Sequence, residues 1–279
     1  MRPVTLPVLA VSWLTFMAST LAYALLPPAV GGTAGLGLME GATATAMAHS
    51  TQMLLRPQSG MSLWLLLVGC WVTLGRHLTQ VAATARRLGV AQRRAHRADL
   101  RAIRSDLPPT PRHMLRLHRP DLAWREHLPL VVALLAGAGW PWLVQPAPMA
   151  ALMLALVMML AALIAVIRGQ RDGRRVARRS GIGLFGGWAS LSTLLLFAAF
   201  LADRFGLPLQ VTQAFAIGII IVIAMAVQLR IHGTVSFSVA VIWGLIGIAA
   251  VTMPVSPSMA TLAVAGIAAI ALVLVLEVT

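Results

Sequence analysis

The chain has 279 residues, of which 59% are hydrophobic and 11% are charged, and its formal net charge is +14. A soluble domain carries about 25% charged residues. The composition therefore excludes a soluble globular protein and indicates an integral membrane protein. The single cysteine, Cys70, excludes an intramolecular disulfide. Every basic residue is an arginine, which we interpret as the bias of a GC-rich bacterial genome, so we expect a multi-pass protein of the bacterial inner (plasma) membrane.

The N-terminal quarter of the chain begins with an apolar run, Val4–Leu26, that is long enough to cross a bilayer. A cleaved signal peptide is the alternative, because Ala-Tyr-Ala at 22–24 resembles a cleavage site. The run is longer than the apolar part of a usual signal peptide, which favours a retained helix. Ala29–Arg56 is rich in Gly, Ala and Thr and predicts a loop with a short surface helix, with a re-entrant segment as the alternative. His49 lacks the spacing of a metal or haem site, so we expect a solvated residue.

The second span, Met61–Leu78, runs without a helix breaker into a basic amphipathic segment with an Ala-rich apolar face. Pro108 begins a proline cluster that ends this helix. We predict that the segment lies in the cytoplasm on anionic membrane lipid, with an acidic protein partner as the alternative. Nucleic acid ranks third, and we expect no such partner, because no recognisable binding module and no interleaved aromatic residues are present. The arginines predicted to dock are Arg86, Arg87, Arg93, Arg94, Arg97 and Arg101.

Six more apolar runs complete the predicted membrane domain. They are Leu128–Val144, Pro146–Ile167, Gly181–Phe200, Val211–Leu229, Ser236–Met253 and Ser258–Leu276. With eight spans, 20 of the 22 arginines fall on one side of the membrane, and only Arg56 and Arg204 fall on the other. The positive-inside rule then places both termini in the cytoplasm. The sequence thus predicts an all-α polytopic membrane bundle of about eight transmembrane helices.

Small residues mark the fifth span as the centre of the bundle. Gly183 and Gly187 form one row at a spacing of four, and Gly186 and Ser190 form a second. Such rows let helices approach closely in lipid. Trp188 stands beside them, so this face predicts either close helix packing, as at Gly247 in the seventh span, or the wall of a pocket for a flat ligand.

The predicted membrane interior lacks the groups that chemistry requires. No Asp, Glu, Lys or Arg lies in the middle of a span, whereas pumps and proton-coupled transporters depend on such residues. No metal-ligand spacing, phosphate-binding loop or nucleophile with a base is present. We therefore expect a non-enzymatic protein. A facilitative transporter of an apolar solute would need inverted repeats, and none is clear in the sequence.

Four tryptophans and their neighbours resemble those of a known family. Ser62-Leu63-Trp64 follows Pro57 and Gly60, Gly187-Trp188 precedes Ala189, Ser192 and Thr193, and Trp243 is followed by Gly247 and Ile248. This pattern resembles the tryptophan-rich sensory, or translocator (TspO-type), membrane proteins, in particular their longer relatives with extra helices. Trp140 stands where a further family tryptophan is expected. Gly137 and Leu196 stand where the family often has asparagine.

The resemblance implies a helical bundle that binds a planar hydrophobic molecule, in a sensory, regulatory or transport role. The implied ligand is a porphyrin, haem or chlorophyll-type pigment, held by Trp64, Trp140, Trp188 and Trp243. We expect residues 1–253 to form the family-like bundle, interrupted by an Arg-rich segment at 79–127, and residues 254–279 to add a helix. The missing asparagines and added segments favour an alternative, an accessory subunit of a respiratory or photosynthetic complex. A homodimer is a further expectation.

Overall fold

The computed structural model describes residues 5–26, 40–104, 120–168, 180–230, 235–254 and 256–278. Within its helices the side chains at 5, 40–45, 88–104, 120–126, 180, 277 and 278 are not described. The regular structure of the described ranges is entirely α-helical. Its helices are α1 (Thr5–Leu25), α2 (Glu40–Leu55), α3 (Met61–Arg104), α4 (Pro120–Leu143), α5 (Pro148–Arg168), α6 (Ser180–Phe205), α7 (Leu209–Arg230), α8 (Val235–Thr252) and α9 (Pro257–Val278).

The helices confirm a polytopic membrane bundle. Seven of them, α1, α3 and α5 to α9, contain apolar segments long enough to cross a membrane. The apolar part of α4, His127–Leu143, is shorter but occupies the position of the third predicted span. The eight predicted spans therefore each coincide with an observed helix. We use "outer end" for the end of the bundle at which α1, α4 and α6 finish, following the orientation that the arginines predict.

Helix α6 lies at the centre of the bundle. Within its span, Gly181–Phe205, 78% of an 18-residue apolar window is buried, whereas the corresponding windows of the other six spans are 22% to 50% buried. It packs against α2, α3, α5, α7 and α8. A helix that is surrounded by other helices is apolar on every face. This burial explains why the segment is hydrophobic along its whole length.

The small residues of α6 are in direct contact with neighbouring helices. A Cβ atom added at Gly187 would lie 2.7 Å from both the Ala240 Cβ and the Phe237 carbonyl oxygen of α8. One added at Gly183 would meet Ser236, and one at Gly186 would lie 2.9 Å from Val166 of α5. The glycine rows therefore hold α8 and α5 close to α6, and protein occupies the notch that they form. The remaining residues of the predicted packing set, Ser190 and Gly247, are buried too.

Helix α2 corrects the prediction of a surface helix between the first two spans. Met47, Thr51, Leu54 and Leu55 are almost wholly buried, and α2 packs chiefly against α6. Its contacts lie at the outer end: the Met47 backbone hydrogen-bonds to Asp203 in the last turn of α6. A buried helix in a membrane bundle needs small residues for close approach more than large apolar ones. The Ala- and Thr-rich composition that suggested a loop therefore suits a packed helix.

A tight turn joins α2 to α3. The Gly60 backbone N–H donates to the Arg56 carbonyl oxygen at 3.2 Å, and a side chain at Gly60 would collide with the Met53 carbonyl group. The turn therefore requires glycine at this position. It fixes Arg56 beside the outer end of the bundle.

Helix α3 continues well past the membrane, as the sequence predicts. Its 44 residues correspond to a length of roughly 66 Å at 1.5 Å per residue. Arg86 and Arg87 are exposed. The side chains of Arg93, Arg94, Arg97 and Arg101 lie outside the described part, so their docking role stays a prediction. His49, by contrast, is an exposed residue of α2.

Candidate functional site

Three aromatic rings form an inner aromatic cluster where α1 meets α6: Phe16, Phe185 and Trp188. The Phe16 ring meets Phe185 edge-on at 5.4 Å between centroids and Trp188 at 5.8 Å. Phe185 and Trp188, one turn apart on α6, stack at 6.0 Å with 28° between their planes. All three side chains are fully buried. The cluster is therefore an apolar, aromatic interior at the centre of the bundle.

Trp140 lies on α4, one turn outward from the residue that packs against this cluster. That residue is Gly137, where an added Cβ atom would lie 3.0 Å from Phe16 and 3.1 Å from the Met158 sulfur. The Trp140 side chain is fully buried. Glycine at 137, in place of the family's asparagine, thus lets the Phe16 ring pack directly on the α4 backbone.

A second aromatic pair, the outer aromatic pair, closes the same face of α1 at its outer end. Tyr23 and Trp142 meet edge-on at 5.7 Å between ring centroids. The Trp142 indole N–H donates to the Ser19 hydroxyl at 2.8 Å, and that hydroxyl donates to the Ala138 carbonyl oxygen at 2.6 Å. The Arg56 guanidinium lies 5.6 Å from the centroid of the Tyr23 ring. These contacts join α1, α4 and the end of α2.

The other two predicted ligand-binding tryptophans lie around α3. Trp64 meets Trp71 edge-on at 6.4 Å, and Trp13 donates its indole N–H to the Trp71 carbonyl oxygen at 3.2 Å. Trp243 of α8 donates to the Ser62 carbonyl oxygen at 2.9 Å. Its side chain is 44% exposed on the outside of the bundle. The four predicted tryptophans thus do not meet at one place: Trp188 contacts Phe16, Trp140 lies one turn from Gly137 on α4, and Trp64 and Trp243 lie along α3.

The indole N–H groups differ sharply between these tryptophans. Those of Trp13, Trp142 and Trp243 have oxygen acceptors. Those of Trp140 and Trp188 are buried and have no acceptor in the described part of the chain, and the same holds for Trp64 and Trp71. A buried donor without an acceptor costs about 1–3 kcal/mol. Such donors therefore indicate where a polar atom of a bound molecule would be stabilised.

Besides the Cys70 thiol, two ionisable side chains are buried among the described residues. Arg56, 8% exposed, lies at the outer end. His77 lies at the inner end, with its ring centroid 6.5 Å from that of His127. Within the described ranges no group of three or more His, Cys, Asp or Glu residues is arranged to hold a metal ion. The middle of the bundle is thus aromatic and uncharged where it is described.

The sequence did not identify every residue of this site. Phe16, Phe185, Tyr23 and Trp142 belong to none of the motifs that the sequence analysis identified. Arg56 did give a signal, since it is one of two arginines on the side that the positive-inside rule leaves almost free of positive charge.

A comparison with protein families gives one match. The model of a family described as "TSPO-like protein" matches residues 118–276, more than half of the chain. The match covers α4 to α9, with Trp140, Trp188 and Trp243, and includes the final helix. The predicted domain limits, 1–253 and 254–279, stay predictions. No curated protein and no solved structure matches the chain.

Proposed function

Because the chain belongs to the TSPO-like family of membrane proteins, we propose that it is a non-enzymatic multi-pass protein of the bacterial inner membrane that binds a planar hydrophobic ligand. The ligand class is tetrapyrrole-like, and the role is sensory, regulatory or in transport. Its binding site is formed by Trp140 and by the inner aromatic cluster, to which Trp188 belongs.

The unpaired indole N–H groups of Trp140 and Trp188 carry this proposal. Both side chains are fully buried, and neither N–H has an acceptor among the described residues. An apolar pocket with a few polar groups that fix orientation is the usual form of a small-molecule site. A flat ring can stack on the indoles while a heteroatom accepts from the N–H groups.

A titration of the purified protein in mild detergent with protoporphyrin IX tests this function. Binding next to Trp188 is expected to quench tryptophan fluorescence with a saturable isotherm and to shift the porphyrin absorption band. Trp188→Leu is expected to weaken binding about tenfold or more while the protein keeps its helical circular dichroism, since stacking of a nucleic-acid base on one aromatic side chain contributes about 1–3 kcal/mol. Quenching that rises linearly, without saturation, would contradict the proposal.

An accessory structural subunit of a larger membrane complex is the second candidate. The observation in its favour is the notch on α6, because α8 and α5 fill the space beside Gly183, Gly186 and Gly187. The glycine rows therefore leave no room for a ligand on that face. Purification in mild detergent separates the two candidates: a subunit migrates with a large complex, whereas a free monomer or dimer that carries pigment favours the ligand-binding protein.

A further inference from the structure

Arg56 is a buried cation whose Nε–H group has no acceptor within the described chain. Its side chain is only 8% exposed, and its Nε atom is buried without an acceptor among the described residues. The Tyr23 ring supports one face of the guanidinium at 5.6 Å. A cation–π contact of this kind holds the group in place but satisfies none of its N–H donors.

No carboxylate is shown beside this guanidinium in the part of the chain that the structure describes. In the predicted topology only two of the eight acidic residues, Glu40 and Asp203, lie on the side of Arg56. Glu40 opens α2 and Leu55 closes it, so about 22 Å of helix, at 1.5 Å per residue, separates Glu40 from the arginine. Asp203 hydrogen-bonds to the backbone of Met47, more than two turns back along α2. A buried arginine is rarely left without an anion.

The position of Arg56 relative to the inner aromatic cluster suggests that the bound ligand itself supplies the anion. Phe16 and Tyr23 are seven residues apart on α1 and therefore share one face, about 10 Å apart along the helix. Phe16 contacts Trp188, and Tyr23 contacts Arg56. Trp140 lies on α4 between Gly137, beside Phe16, and Trp142, beside Tyr23. A flat molecule against the inner cluster would thus reach the guanidinium with its outer edge.

We propose that Arg56 binds a carboxylate at the edge of the ligand, so that the ligand is a planar apolar ring system with an acidic side chain. The inference rests on the proposed function and assigns the residue that would recognise an acidic group at the edge of its ligand. Arginine presents a planar fork of donors that matches a carboxylate, and a charged hydrogen bond is about twice as strong as a neutral one. The Tyr23 ring fixes the orientation of that fork.

The test compares protoporphyrin IX, which has two carboxylates, with its dimethyl ester, which has none. Dissociation constants for both porphyrins are measured on the full chain in the same detergent. The acid and the ester partition differently into detergent, and comparing the acid-to-ester ratio between variants cancels that difference. The wild type is expected to bind the acid at least tenfold more tightly than Arg56→Gln does, because the variant loses a charged hydrogen bond to the carboxylate. Arg56→Gln is expected to keep the wild-type affinity for the ester.

Arg204→Gln is the matched control, since Arg204 is the other arginine on this side and is exposed. It is expected to leave both affinities unchanged. Retained ester binding in Arg56→Gln shows that the variant is folded. Equal acid affinity in wild type and Arg56→Gln, with ester binding intact, overturns the inference and leaves the proposed function standing. The guanidinium would then pair with another anion, such as a lipid phosphate. Failure of the wild type to bind either porphyrin overturns both.

Discussion

At the scale of single residues, Trp188 decides between two interpretations of the interior, a structural core and a ligand site. Its ring packs between Phe16 and Phe185, as any core aromatic would. Its N–H group has no acceptor among the described residues, which an optimised core would avoid. The packing and the unsatisfied donor together favour a ligand site built into the core over a purely structural ring.

Replacement of Trp188 by phenylalanine separates these two roles. The substitution keeps an aromatic ring but removes the N–H donor, so we expect weaker porphyrin binding with little loss of thermal stability in the ligand-free protein. The lost packing of the smaller ring is offset by removal of an unsatisfied buried donor, which costs about 1–3 kcal/mol. The measurements are a fluorescence titration and a melting curve in detergent.

Trp13→Phe is the control for that experiment, because the Trp13 N–H has an acceptor in the Trp71 carbonyl group. Here we expect the reverse pattern, unchanged porphyrin affinity and a modest loss of stability of about 1 kcal/mol from the lost hydrogen bond. If both variants lost stability and affinity to the same extent, the unpaired donor of Trp188 would have no special role.

The sequence predicted some of these residues and missed others for a physical reason. Trp188 was identifiable because it stands beside rows of small residues in a membrane span, and Trp140 because it stands where the family that the chain resembles has a tryptophan. Phe16 and Tyr23 were not, because a phenylalanine or tyrosine in an apolar run has the same pattern whether it faces lipid or protein. Trp243 shows the opposite case: its motif predicted a ligand-binding residue, but its side chain is 44% exposed on the outside of the bundle. Which neighbours cover a helix face depends on the packing of the other helices, which the local sequence does not reveal.

At the scale of elements, the contact between α6 and α8 depends on the absence of side chains. Gly187 leaves room for the Ala240 methyl group and the Phe237 carbonyl oxygen. The sequence predicted a close approach from the glycine spacing. It could not predict the partner helix, because a row of small residues accepts any neighbour of suitable shape.

Gly187→Ala is therefore expected to destabilise the bundle, although alanine is the better helix former. The added methyl carbon would lie 2.7 Å from two atoms of α8, and overpacking of this kind costs about 1–3 kcal/mol. Gly218→Ala on α7 is the matched control, since nothing lies within 4 Å of its added Cβ atom. We expect it to be neutral or slightly stabilising. Equal melting temperatures for the two variants would rule out a close α6–α8 contact at Gly187.

Helix α2 shows why the sequence interpretation failed at this level. Its residues are only weakly apolar, and in a soluble protein they would suggest a solvated segment. Against α6, however, small side chains are buried as readily as large ones, because packing and polar contacts rather than hydrophobic burial hold membrane helices together. The interpretation of Ala29–Arg56 therefore depended on a partner that the local sequence does not reveal.

At the scale of the whole molecule, charge and hydropathy were sufficient to predict the fold class. The eight predicted spans coincide with observed helices, because an apolar run of about 20 residues has few other uses. The orientation in the membrane rests on the arginines alone and is open to a direct test.

Cysteine labelling tests that orientation. Gln58 and Leu207 are exposed in the turns at the outer end, and Arg87 is exposed on the extension of α3. We expect a membrane-impermeant maleimide to label Gln58→Cys and Leu207→Cys in intact spheroplasts and Arg87→Cys only after lysis. The native Cys70 is fully buried and serves as the unlabelled background. Labelling of Arg87→Cys before lysis would show that the predicted orientation in the membrane is wrong.

The absorption spectrum of the protein, isolated gently in mild detergent and separated by size, shows whether the protein carries a planar pigment. We expect a porphyrin-type absorption band that migrates with the free monomer or dimer and is lost in Trp188→Leu. A colourless protein that takes up no added protoporphyrin and travels only with a large membrane complex would contradict it.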